Sequence, residues 1–214
     1  MLHDKYRYVV VEGPIGVGKT SLARRLAQHF AAATLLLEKP DENPFLAKFY
    51  HDPLRYALAT QLFFLLQRGN EVCDLTQMDM FHTGTVSDYL FDKDPLFARL
   101  NLGDAEFTLY QHIYQNLQLQ IPAPDLVIYL QAEPETLLER VRRRARPYEQ
   151  PISDAYLLRV AQCYSDFFYH YEAAPVLTVN TEHLNFDDGE EDFTLLLQRI
   201  GEMRGSREFF SRGG

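Results

Sequence analysis

Gly13-Pro14-Ile15-Gly16-Val17-Gly18-Lys19-Thr20 matches the phosphate-binding pattern G-x-x-x-x-G-K-[ST] at every fixed position. Its flanks agree with that pattern. Tyr8-Val9-Val10-Val11-Glu12 is a short β-branched run that reads as a buried strand. Residues 20–30 read as a helix, with Leu22, Leu26 and Phe30 spaced four apart on one face. Strand, glycine loop and helix together aim backbone N–H groups and a helix N-terminus at a phosphate. In this pattern Lys19 reaches the β- and γ-phosphates and the Thr20 hydroxyl sits on Mg²⁺. The nucleotide-binding set runs from Gly13 through Ser21.

The bulk properties narrow the classes open to such a loop. A chain of 214 residues suits one α/β domain with a full core. The net charge of −9 argues against general adhesion to nucleic acid or to membranes. Cys73 and Cys163 are far apart and lack metal-ligand spacing, which reads as two reduced, buried thiols. The N-terminus begins no apolar signal region, and no apolar run approaches membrane-spanning length. The expectation is a soluble, cytoplasmic protein.

Beyond the first helix, residues 34–38 read as a second buried strand that ends in Glu38-Lys39-Pro40. Ligands of an open parallel sheet collect at the carboxyl ends of its strands, so Glu38 stands where a catalytic carboxylate is useful. Asn43-Pro44 opens a short helical piece that carries Tyr50, and Pro53 interrupts it. A longer helix follows from about residue 54 to 72. On its apolar side Gln61 and Arg68 lie seven apart, two turns on one face, where they want polar partners: a ligand edge, solvent or a core ion pair. Residues 84–88 read as a third strand ending in Asp88, and Asp92-Lys93-Asp94-Pro95 reads as a turn.

Residues 105–121 form a strongly amphipathic aromatic helix, stopped by Pro122 and Pro124. Residues 126–130 are a nearly continuous apolar strand, and Pro134 suits the first turn of the next helix. That helix runs into a basic knot of Arg140, Arg142, Arg143, Arg144 and Arg146. Five guanidiniums within seven residues of an acidic chain are most simply explained by a polyanionic ligand, as an arginine lid over transferring phosphate. A helix over 154–171, a fifth strand over 176–179, an acidic loop with Phe186, a closing helix over 193–203 and a loosely held tail over 205–214 complete the chain. Strands alternating with helices predict an α/β fold: a five-stranded parallel sheet flanked by helices in one domain over 1–204. The loop, Glu38, Asp88 and the arginine knot converge on the carboxyl edge of that sheet, and that constellation is phosphoryl transfer to a small acceptor.

Over nearly its whole length the sequence resembles the deoxynucleoside kinase family, in particular bacterial kinases that accept deoxyadenosine, deoxyguanosine or deoxycytidine. The loop alone is shared by many NTPases; the ordered set of the other motifs carries the resemblance. Glu38-Lys39-Pro40 resembles the motif whose glutamate is the general base. By the same resemblance Tyr50 contacts the sugar 3′-hydroxyl, and Gln61 and Arg68 bind the base together with Asp94. Arg140, Arg144 and Arg146 resemble the lid arginines that hold phosphates, Glu149 the lid glutamate on the 3′-hydroxyl, and Phe186 falls in the loop that stacks on adenine. Asp88 is similar to the acid that serves the Mg²⁺ or phosphate site.

One departure stands out. The family carries an acid-Arg-Ser motif after the third strand, whereas this chain has Asp88-Tyr89-Leu90. The arginine's role then falls to another residue, such as Arg142 or Arg143, or is dispensed with. The resemblance implies ATP-dependent 5′-phosphorylation of a deoxynucleoside with Mg²⁺, and a homodimer formed through the helices over 105–121 and 154–171. Two rivals stay open at this level. A nucleoside monophosphate kinase, thymidylate kinase-like, would use Arg55 or Arg68 as an extra phosphate clamp; a nucleotide-binding switch would bind ATP without making a nucleoside product.

Overall fold

Val9, Val10 and Val11 are buried on both sides, and only a strand in the middle of a sheet meets that condition. The computed structural model describes residues 5–30, 33–77, 84–118, 121–149, 152–186 and 189–212. Within them, β1 (Tyr8–Glu12) lies between β3 (Thr85–Ser87) and β4 (Leu126–Gln131), pairing Val9 with Val86 on one side and Val10 with Val127 on the other. Adding β2 (Thr34–Leu36), β5 (Val176–Asn180) and β6 (Arg207–Phe210) gives a six-stranded, all-parallel sheet of order β2-β3-β1-β4-β5-β6.

The sixth strand corrects the expected count of five. It arises within residues 205–214, which read as a loose tail. Arg207-Glu208-Phe209-Phe210 is short, begins with two charges and lies at a sheet edge, so only one of its faces is half-buried and the apolar pattern is faint. It is held from outside its own sequence. Arg207 Nη1 donates to the Phe168 carbonyl at 2.8 Å, and Glu208 accepts the Arg204 and Gly205 N–H groups at 2.8 Å each while pairing with Arg199.

Helices cover both faces of the sheet. Val9 and Val11 pack with Leu22 and Leu26 of α1 (Lys19–His29), and with Phe193, Leu196 and Ile200 of a later helix, Glu190–Glu202. Tyr8 and Val10 face the other way, against Tyr164 and Phe168 of the Asp154–His170 helix. A third cluster joins α2 (Leu46–His51), α3 (Pro53–Gln77), α4 (Asp94–Asn101) and α5 (Asp104–Gln118) around Leu65, Tyr110 and Tyr114. The aromatic stripe of α5 is therefore largely core. Pro53 opens α3 instead of merely ending α2. The residues read as a turn, 92–95, belong to a 3₁₀ turn over Phe91–Lys93 that runs straight into α4. The remaining helices are α6 (Pro134–Arg144), α7 (Asp154–His170) and α8 (Glu190–Glu202). Among the described residues no helix is long and apolar enough to cross a membrane. Cys163 is a free, half-buried thiol; the Cys73 side chain lies outside the described residues.

Candidate functional site at the carboxyl edge of the sheet

The loop after β1 turns tightly because two of its glycines leave no room for a side chain. A Cβ on Gly13, at φ 152°, would come within 2.4 Å of the Leu130 carbonyl oxygen, and one on Gly16, at φ 88°, within 2.9 Å of both the Leu137 oxygen and Val141. The loop therefore packs directly under α6. Gly18 forms the N-terminal boundary of α1, so the helix begins where the loop ends. Lys19 Nζ donates to the Gly13 and Pro14 carbonyls at 2.7 and 3.2 Å. Burial lowers its ammonium below the ordinary lysine range, partly offset by Glu12.

Two cavities flank this loop. One, of about 490 Å³, is lined by Ile15, Gly16, Lys19 and Thr20 on the loop side and by residues of α2, α3, α4 and α7 opposite. The second, of about 690 Å³, is bounded by Gly16, Val17, Gly18 and Ser21 together with Arg140, Arg143, Arg144 and Asn185. Both lie in the size range of small-molecule sites. Gly16 and Arg144 border both.

The first cavity gathers most of the residues picked out by sequence. Glu38, two residues beyond β2, lines it, as do Tyr50 of α2 and both Gln61 and Arg68 of α3, confirming that the last two share a face. Arg68 is buried and bridges two carboxylates, giving Nη1 to Asp94 Oδ1 and Nη2 to Glu38 Oε1. Burial alone would raise the Glu38 carboxyl. The Arg68, Lys93 and Lys19 cations outweigh it and hold Glu38 well below the usual carboxylate range. Asp94 stands one layer behind the wall, 2 % exposed, and burial pushes it up to about 6 against the pull of Arg68. Its Oδ2, like Arg68 Nε, is buried without a hydrogen-bond partner. Burial also keeps the Tyr50 hydroxyl protonated well beyond neutral pH, so it is a neutral donor.

Asp88, at the end of β3, fastens two strand ends together. Its Oδ1 accepts the Glu38 backbone N–H at 2.7 Å and its Oδ2 accepts the Thr20 hydroxyl at 2.5 Å. A hydroxyl and a carboxylate so close, beside a phosphate loop, form a donor pair of the kind Mg²⁺ uses when substrate phosphates and water complete its shell. Among the described residues no cluster of three or more acids, histidines or cysteines forms a self-sufficient metal cage, and such a pair does not need one.

The basic segment divides its residues among several tasks. Arg140 holds the Thr181 hydroxyl and carbonyl at 2.9 and 2.8 Å and borders the second cavity. Arg144 pairs with the buried Glu149, two expected site residues brought together, and Arg146 donates to the Tyr148 hydroxyl at 2.5 Å; all four line the first cavity. Arg142 is exposed and bound to Asp154 at 2.7 Å. Phe186 also borders the second cavity, but its ring is buried in the core with Phe193 and Leu196. Tyr89, where the resemblance leads one to look for arginine, is fully buried, and its hydroxyl donates to Glu71 Oε2 at 3.0 Å, which ties it to α3.

Sequence reasoning passed over Glu12 and Lys93. Glu12 ends β1 fully buried and accepts hydrogen bonds from the Gly13 N–H, the Leu90 N–H and the Tyr164 hydroxyl at 2.9, 2.7 and 2.9 Å. Lys93 lies 3.0 Å from it and lines the first cavity. An acid closing a Val-Val-Val run was a usable signal. Lys93 in Asp-Lys-Asp-Pro was not, because that string is ordinary turn composition.

Comparisons with known proteins point one way. The Deoxynucleoside kinase family profile matches residues 9–203. The chain is 34 % identical over 202 residues to the deoxyguanosine kinase of Bacillus subtilis, covering 92 % of this chain and 97 % of that one. It is 30 % identical to the deoxyadenosine kinase of Lactobacillus acidophilus, covering 83 % and 87 %. Among solved structures it is similar to deoxyadenosine kinase from M. mycoides with products dCMP and a flexible dCDP bound, at a TM-score of 0.78 and 20 % identity over 91 % of this chain and 99 % of that one.

Proposed function

The chain belongs to the deoxynucleoside kinase family, whose members phosphorylate nucleosides in salvage, and we propose that it transfers the γ-phosphoryl group of ATP to the 5′-hydroxyl of deoxyadenosine, deoxyguanosine or deoxycytidine. The observation that carries this reading is the pair of cavities meeting at Gly16 and Arg144 across the phosphate loop: one takes the acceptor and the other the donor.

In the acceptor cavity Glu38 receives the proton of the 5′-hydroxyl. The O5′–Pγ bond forms as the bond from Pγ to the β,γ-bridging oxygen breaks. Glu38 stays ionised because cations surround it, so it orients the hydroxyl as an acceptor and takes the proton late. Tyr50 and Glu149 hold the sugar hydroxyl. Gln61 and Arg68 read the base edge, and Asp94, one layer behind the wall, takes part by accepting from Arg68 Nη1 and orienting that guanidinium towards the base. On the donor side the loop N–H groups and Lys19 cradle phosphates, while Arg140, Arg144 and Arg146 form the lid that neutralises charge and excludes water. Thr20 and Asp88 hold Mg²⁺, which when bound supplies further charge neutralisation to the phosphates. Phe186 borders the space for adenine. The protein acts in the cytoplasm as a homodimer through the outer faces of α5 and α7, where Leu109 and Leu158 are exposed; light scattering on the purified protein tests the oligomer.

A panel of deoxynucleosides with γ-labelled ATP and Mg²⁺ tests the acceptor: labelled monophosphate from deoxyadenosine, deoxyguanosine or deoxycytidine is expected, whereas product from thymidine alone would sink the base assignment. Arg68→Ala is expected to raise the nucleoside KM on the order of tenfold to a hundredfold, the scale of a lost charge-assisted hydrogen bond, and to relax base preference. An equal loss for every base would show that Arg68 does not read the base.

The Asp94 carboxyl gives a pH signature. Being harder to ionise in the fold than in free solution, it takes up its proton as pH falls through about 6, and folding itself favours that uptake. Protonation removes the acceptor and loosens the hold on Arg68. The nucleoside kcat/KM is therefore expected to decline below about pH 6, and Asp94→Asn is expected to abolish that limb while lowering the plateau. A limb unchanged in Asp94→Asn would assign it to another group.

A further inference from the structure

Lys93 is 2 % exposed, yet it forms part of the acceptor-cavity wall. Its Nζ lies 3.0 Å from Glu12 Oε2, 3.3 Å from Glu12 Oε1 and 3.5 Å from Glu38 Oε1. Glu12 in turn accepts the Gly13 N–H, the first amide of the phosphate loop. A continuous polar strut thus runs from loop to cavity: Gly13, Glu12, Lys93, Glu38. We propose that Lys93 is the positioning residue of the phosphoryl transfer: it fixes the Glu38 carboxylate relative to the phosphate loop and supplies the cation beside the attacking oxygen. The proposal rests on the kinase reading above.

Three observations favour this over a plain counterion for Glu12. Glu12 already accepts two backbone N–H groups and the Tyr164 hydroxyl, so the ammonium supplies at most one of the roughly four hydrogen bonds a carboxylate can accept. Arg68, the other cation in contact with Glu38, is shared with Asp94, whereas Lys93 reaches both Glu38 and Glu12 and so ties the acceptor cavity to the loop side. Tyr89, at the position after Asp88, turns away to Glu71 and brings no charge. Lys93 caps α4, whose next residue is Asp94, so the same turn sets the base-reading acid and the strut together. Burial works against the ammonium, but the two glutamates outweigh it and keep it charged.

The test compares Lys93→Met with the double variant Glu12→Gln/Lys93→Met, each assayed beside the wild type with Mg-ATP and deoxyguanosine or deoxyadenosine. A positioning role predicts kcat down on the order of a hundredfold in both, the scale of a misplaced reacting group, with nucleoside and ATP KM within about threefold of wild type. A counterion role predicts that the double variant, which leaves no unpaired buried charge, recovers wild-type kcat, and that result would overturn the proposal. Lys93→Ala is expected to regain turnover with added ethylammonium, saturably, whereas Lys93→Met, whose side chain fills the space, is not; absence of rescue in a folded Lys93→Ala would also overturn it. If neither the Met nor the double variant folds, Lys93 is a determinant of the fold and the proposal fails. A wild type that makes no monophosphate defeats the kinase reading itself, while an active wild type with an unimpaired Lys93→Met defeats only the role of Lys93.

Discussion

Replacing Lys19 by alanine is expected to lower kcat/KM on the order of a thousandfold, about 4 kcal/mol of transition-state stabilisation. The size follows from where the ammonium sits. It is half-buried, 2.7 Å from the Gly13 carbonyl, at the boundary where the loop meets the acceptor cavity. With part of its surroundings protein instead of water, a cation there interacts with developing phosphate charge more strongly than one in bulk solvent. Burial already makes the charged form costly, and a polyanion arriving at the loop repays that cost. The steady-state constants separate the alternatives. Loss confined to the ATP KM would make Lys19 a ground-state binder, whereas loss in kcat places it on the transferring group.

Glu38→Gln is the second large effect. The amide keeps the shape but can neither take the 5′-hydroxyl proton nor balance Arg68 and Lys93. Turnover is expected to fall by two to four orders of magnitude, the range for loss of a positioned base, with ATP affinity near that of the wild type. Some loss of stability accompanies it, because the ion pairs to Arg68 and Lys93 at this partly exposed carboxylate go with the charge. Turnover within a few-fold of wild type would remove Glu38 from the chemistry. Assaying ATP binding separately shows whether the loss lies in the acceptor half alone.

The parts of this site that could be read from sequence are those whose signal is local. Gly13 to Thr20 is contiguous, and two of its glycines are demanded by close approaches that any side chain would block. Gln61 and Arg68 are legible because a helix converts a spacing of seven into a shared face, and both do line one cavity. Glu38 and Asp88 follow from the rule that ligands gather at strand ends, and the two are joined by a hydrogen bond across 50 residues of sequence.

What stayed hidden depends on contacts between distant segments. Lys93 and Glu12 are 81 residues apart, and although an acid closing a valine run is a local signal, Lys93 sits in ordinary turn composition that gives no hint of its partner. Phe186, singled out as the aromatic of an acidic loop, has its ring in the core with Phe193 and Leu196 of α8. β6 escaped notice because an edge strand buries too little to mark itself in the sequence, and its place is set by Phe168, Tyr171 and Arg199. The cations of the basic segment are likewise sorted by tertiary partners, with Arg142 held away by Asp154 and Arg144 held at the cavity wall by the buried Glu149.

The most direct measurement is the mass of the product formed when the protein is incubated with Mg-ATP and, in parallel, with deoxynucleosides or with their 5′-monophosphates. Conversion of deoxynucleosides to 5′-monophosphates, with the monophosphates left unchanged, is the expected result. Diphosphate formed from the monophosphates, with the deoxynucleosides untouched, or no product from either, would contradict a site that carries its acceptor hydroxyl against Glu38.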